Sequence, residues 1–119
     1  MSFSDNFRNS FETSNNDSDM RLRTHYYGSD LENTKNTISR VLQNNGFHLI
    51  HVDNVYNEML LRSKKEELII SLVEQSMYET AVNIKINTKY LISFARGKKT
   101  IDQVYQLLNK QLTLKQKGI

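Results

Sequence analysis

The chain has 119 residues, 38% hydrophobic and 24% charged, with no Cys, no Pro, no Trp and a formal net charge of +3. That length suits one domain, since two of half the size would bury poor cores. The missing cysteine excludes a disulfide scaffold, a thiolate zinc site and a thiol nucleophile. No apolar run approaches the ~20 residues of a membrane-spanning helix, and Met1-Ser2-Phe3-Ser4-Asp5 lacks the basic start of a signal peptide. A soluble, cytoplasmic protein is expected.

Charge is unevenly spread. Residues 1–20 carry Asp5, Glu12, Asp17 and Asp19 against Arg8 alone, and the remainder is basic. Ser, Asn, Asp and Thr dominate this segment, a composition that cannot offset the entropy of ordering it, so it reads as a flexible acidic tail. Phe3, Phe7 and Phe11 recur every four residues and would stack along one side of a short helix. Such a helix is marginal alone. These three rings are therefore candidate partner-binding residues.

The folded domain is expected over residues 21–114, with a basic tail at 115–119. From Arg21 to Tyr27 the residues alternate as in a half-buried strand until Gly28. Ser29-Asp30-Leu31-Glu32 reads as a capping box, with the Ser29 hydroxyl as cap. Ile38, Val41 and Leu42 then share one side of a helix, which Asn44-Asn45-Gly46 stops in left-handed backbone. Strands follow at Phe47–Val52, near Glu58–Arg62 and at Leu68–Val73. The last is apolar at nearly every position, as in a central strand. Val82, Ile84 and Ile86 alternate with Asn83, Lys85 and Asn87, the pattern of a one-sided strand. Tyr90–Phe94 extends that strand or forms a short one of its own.

Arg96-Gly97-Lys98-Lys99 reads as a loop, and Thr100 with Gln103 as a second capping box. Ile101, Val104, Tyr105, Leu108 and Leu112 form the stripe of a closing helix. The expected fold is α+β: a two-layer sandwich of order β-α-β-β-β-β-α. Two helices cover one face of a curved antiparallel sheet of about four to six strands.

Little in this pattern is chemical. His48 and His51 are three apart on an expected strand, so strict alternation sends them to opposite faces and away from a shared metal. No nucleophile elbow or hydrolase spacing occurs. The expectation is a non-enzyme with no cofactor and no metal. Arg96, Lys98, Lys99 and Thr100 are candidate anion-binding residues, because the basic loop would deliver cations to a helix N-terminus. Lys85, on the outer face of the sheet, is a candidate partner-binding residue. Nucleic acid is a weaker partner than protein, because the basic surface is modest and no aromatic ribonucleoprotein motif occurs. The acidic segment around the phenylalanines disfavours a membrane surface.

From Tyr26 to Leu112 the order of elements resembles small bacterial helix-grip domains of unknown function, like the modules of the outer-membrane assembly lipoprotein BamC. The residues that carry the likeness are Tyr26-Tyr27, the helix ending Leu42-Gln43-Asn44-Asn45-Gly46-Phe47, the strand Val82-Asn83-Ile84-Lys85-Ile86 and the closing helix with Val104, Leu107 and Leu108. The resemblance implies an interaction module with a helix lying across a curved sheet. The expected function is thus a non-catalytic interaction or regulatory module that binds another protein or a second copy of itself. Two alternatives are phosphate or nucleic-acid binding through Arg96–Lys99, and a small apolar ligand held between helices and sheet.

Overall fold

The helix marked out between Ser29 and Gly46 is α1 (Leu31–Gln43). The structure, a computed structural model, describes residues 10–12, 24–64, 66–88 and 94–115. The cap of α1 is Asp30 and not Ser29: the Asp30 carboxylate accepts the Asn33 backbone N–H at 2.6 Å. Ser29 is tied to the sheet, because its carbonyl accepts the Thr80 hydroxyl at 2.8 Å while its own hydroxyl accepts from the Asn33 side-chain amide at 2.6 Å. The carboxylate one residue later is free to turn onto the helix dipole. At the other end Gly46 adopts φ 93° and the Phe47 N–H reaches back to the Leu42 carbonyl at 3.0 Å, the left-handed stop that the sequence predicts.

The strands are β1 (Ser10–Glu12), β2 (His25–Tyr27), β3 (His48–Asp53), β4 (Glu58–Arg62), β5 (Glu66–Ser76), β6 (Glu79–Thr88) and β7 (Leu114–Lys115), with α2 (Phe94–Asn109) before β7. They form one open antiparallel sheet in the order β3-β4-β5-β6-β2-β7. The outer edge of β6 is shared, since β2 pairs with its residues 80–82 and β1 with its residues 85–87. The α+β two-layer architecture and the order of its main elements are as expected.

The core is the face that the helices cover. Leu68, Ile70 and Leu72 of β5 and Val82, Ile84 and Ile86 of β6 meet Ile38 and Leu42 of α1 and Ile101, Val104, Tyr105 and Leu108 of α2. Each fully buried aliphatic side chain contributes roughly 1.5–3 kcal/mol relative to exposure. The periodic stripes of both helices thus find the alternating face of the sheet. The other face is largely polar, yet Ile69 at its centre is fully buried between its register partners Leu60 and Lys85.

Several expectations change. Ser10–Glu12 form a strand against β6 and not a stretch of tail, with Phe11 opposite Ile86, so a helix of three phenylalanines cannot include Phe11. Phe3 and Phe7 lie outside the described residues. Helix α2 starts at Phe94, so Arg96, Lys98, Lys99 and Thr100 belong to its first turns and not to a loop; of the strand expected over Tyr90–Phe94, Phe94 is helical and residues 90–93 lie outside the described residues. Gly97 costs that helix about 1 kcal/mol against alanine, an amount that docking of the apolar stripe offsets.

A third change comes from a bulge. The register of β3 against β4 shifts between Leu49 and His51, leaving Ile50 unpaired. One inserted residue inverts the alternation beyond it. His48 pairs with Arg62 and His51 with Leu60, two positions apart on β4, so both histidines occupy the face away from the helices.

Candidate functional site

Strand β5 links two unlike ends of the molecule, and at ~3.3 Å per residue its eleven residues hold them ~35 Å apart. Beyond Ser76 lies the β5–β6 turn, where Met77 is 72% and Tyr78 74% exposed. Beside it stands the β3–β4 loop, whose Asn57 carbonyl accepts the Leu72 N–H at 2.9 Å. That loop carries exposed Val55 and Tyr56, and Val73 between the two loops is half exposed.

The β3–β4 loop is held on purpose-built contacts. Asp53 accepts the backbone N–H groups of Val55 at 2.8 Å and Tyr56 at 3.1 Å, the Asx-type turn. Asn57 takes the left-handed conformation at φ 53°. Lys35 of α1, itself buried, donates to the side-chain oxygens of Asn57 at 3.0 Å and Asn54 at 3.2 Å, and its ammonium lies 3.8 Å from Glu32. A buried ammonium needs such partners, so the loop is pinned to the helix while its apolar side chains stay in water. Large apolar side chains exposed on a fixed turn gain nothing from burial on folding.

The opposite end is concave. A groove of about 550 Å³ opens between α2, the α1–β3 connection and the β4–β5 turn. Phe47, Val104 and Leu107 give it an apolar floor, and Asn45, Gln103 and Gln106 a rim of amides. Glu66 also lines it, where its carboxylate accepts the Thr100 hydroxyl at 2.9 Å, joining the β4–β5 turn to α2.

The two ends differ in charge. On the protruding hairpin from Val73 to Glu79 the charges are Glu74 and Glu79, and Asp53 and Glu32 stand nearby. At the groove the charges are mixed: exposed Lys64 is next to lining Ser63 and exposed Lys99 next to lining Thr100, while Glu66 lines it and Asp102 is next to lining Gln103.

The residues singled out in the sequence are not drawn into one place. Arg96, Lys98, Lys99 and Thr100 all fall within the first two turns of α2, and at ~100° per residue Lys98 and Thr100 lie on different sides of the helix. The Thr100 hydroxyl is engaged by Glu66. Lys85 is half-buried, within the sheet between Ile69 and Glu12, and has contacts of its own. His48 and His51 share a face, but among the described residues no three of His, Asp and Glu gather at metal-binding distance. No helix among the described residues is long and apolar enough to cross a membrane.

Sequence reasoning passed over the hairpin tips. The signal was present in Met77-Tyr78, two large apolar residues set in the polar turn Glu74-Gln75-Ser76 and Glu79. Comparison with protein-family models, with curated proteins and with solved structures gives no match for this chain.

Proposed function

We propose that this protein is a non-catalytic protein-interaction module that engages its partner through the hairpin end of the sheet. The supporting observation is the exposure of Val55, Tyr56, Val73, Met77 and Tyr78 at one end of the sheet, on two turns of which the β3–β4 loop is pinned by Lys35 and Asp53. Aromatic and methionine side chains are enriched at interface centres, where they give large contact area for few rotamers. The acids around them favour a partner surface that is basic at its rim.

Site-specific photocrosslinking tests this reading in cells. A benzophenone amino acid at position 77 or 78 should give discrete protein adducts, whereas the same group at exposed Asn36 on the back of α1 should give none. Equal labelling at all three positions would overturn the proposal.

A further inference from the structure

We propose that the partner of the hairpin tip is the groove of a second copy of this chain, so that copies associate head to tail. This deepens the interaction-module reading and rests on it. Three observations meet here. Met77 and Tyr78 protrude from one end of β5, and the groove with its Phe47, Val104 and Leu107 floor opens at the other. The tip and the groove of one chain are held apart by the length of β5, so neither can satisfy the other within a single molecule.

Shape and charge agree. A hairpin end is a wedge of two strands about 4.8 Å apart, and a groove of about 550 Å³ has room for its two apolar side chains. Amide side chains of Asn45, Gln103 and Gln106 ring the floor and can meet the turn's backbone groups and the Tyr78 hydroxyl. Glu74 and Glu79 flank the tip, while exposed Lys64 and Lys99 adjoin the groove lining, where the Glu66 carboxylate is already engaged by the Thr100 hydroxyl. Each acid of one copy thus approaches a cation of the next, at surface positions where ionic strength governs the attraction.

A contact between two different patches is heterologous, and its repetition builds open chains rather than a closed pair. One turn in one groove is small beside the ~1,600 Å² of a standard interface, so the association is weak and concentration-dependent.

Sedimentation velocity on the full chain tests the proposal. Wild type should gain mass with concentration, without stopping at a dimer, and its association should weaken at least tenfold between about 0.05 and 0.5 M salt. A tip variant, Met77→Ser with Tyr78→Ser, and a groove-rim variant, Lys99→Glu with Gln106→Glu, should each be monomeric with unchanged circular dichroism. Mixed in equal amounts they should form a dimer and nothing larger, because one intact groove then meets one intact tip. A second pair, Glu74→Lys with Glu79→Lys and Lys64→Glu with Lys99→Glu, should each be monomeric alone and on mixing should form open alternating chains, because reversed tip meets reversed groove and native tip meets native groove; this recovery guards against a variant that fails to fold.

Wild type that stays monomeric up to about 1 mM would overturn the head-to-tail contact. So would variants that fail to pair on mixing while wild type forms only dimers, the signature of a symmetric tip-to-tip contact. Photocrosslinks at 77 and 78 to a different protein, without self-association, would remove the second copy and leave the interaction module standing. Absence of any specific crosslink together with a monomeric wild type would remove both.

Discussion

The His25 imidazole lies flat on the Tyr105 ring, with centroids 3.5 Å apart and planes 14° from parallel. His25 comes from β2 and Tyr105 from α2, so this pair fastens an outer strand of the sheet to the helix layer. The Tyr105 hydroxyl continues the connection by donating to the Val82 carbonyl at 2.9 Å, the residue that His25 faces in register. A polar ring on the core face is thus compatible with the apolar stripe because it presents its π-surface to the ring beneath it.

His25→Ala removes that stacking and leaves a gap over Tyr105. The expected loss is about 1–3 kcal/mol, since an aromatic pair is worth roughly 0.5–1.5 kcal/mol beyond the area that it buries. His25→Phe keeps the ring and should lose much less. Urea unfolding of the two variants decides it, and equal midpoints would show that the stacking does not contribute.

Lys35 fixes the loop that carries Val55 and Tyr56. Lys35→Met keeps the aliphatic stem but withdraws the donors from Asn54 and Asn57. The expected cost is roughly 1–3 kcal/mol, with faster amide hydrogen exchange concentrated in residues 54–57. If the proposed interaction uses a rigid loop, binding should weaken with it. Unchanged exchange in that loop would contradict the anchoring role.

Tyr27 connects the fold to alkaline pH. Its ring is fully buried and its hydroxyl donates to the Asn109 side-chain oxygen at 2.7 Å. Burial pushes the phenol far above its ordinary value, and the nearby Tyr105 adds to the shift. The folded state therefore holds a proton that the unfolded state releases above about pH 10. Its stabilising contribution is complete below that pH and falls as pH rises toward the folded value, by up to about 1.4 kcal/mol per pH unit. Urea midpoints between about pH 8 and 11 should decline in wild type and decline less steeply in Tyr27→Phe. Parallel curves would assign the alkaline loss to other groups.

Local periodicity made much of the architecture legible. The alternation of Val82, Ile84 and Ile86, the Ile38-Val41-Leu42 stripe and the Ile101-Val104-Tyr105-Leu108 stripe each record which side of one element meets the core. The Gly46 stop is equally local, because the backbone conformation it permits depends on that residue itself. Candidate sites were less legible. The cations at 96–99 looked like a loop because Gly97 interrupts a polar run, and only docking of α2 against the sheet makes helix the better state for them.

By itself the sequence determined two amphipathic helices and a one-sided sheet, since hydrophobic spacing within a dozen residues is enough to choose helix or strand and its buried side. The tertiary structure alone decided which strands are neighbours, the bulge that puts His48 and His51 on one face, and the placing of an exposed apolar turn and an apolar-floored groove at opposite ends of β5. Those features depend on register and pairing between residues far apart in the chain, and no local repeat encodes them, because their energy exists only once the partner strand is in place.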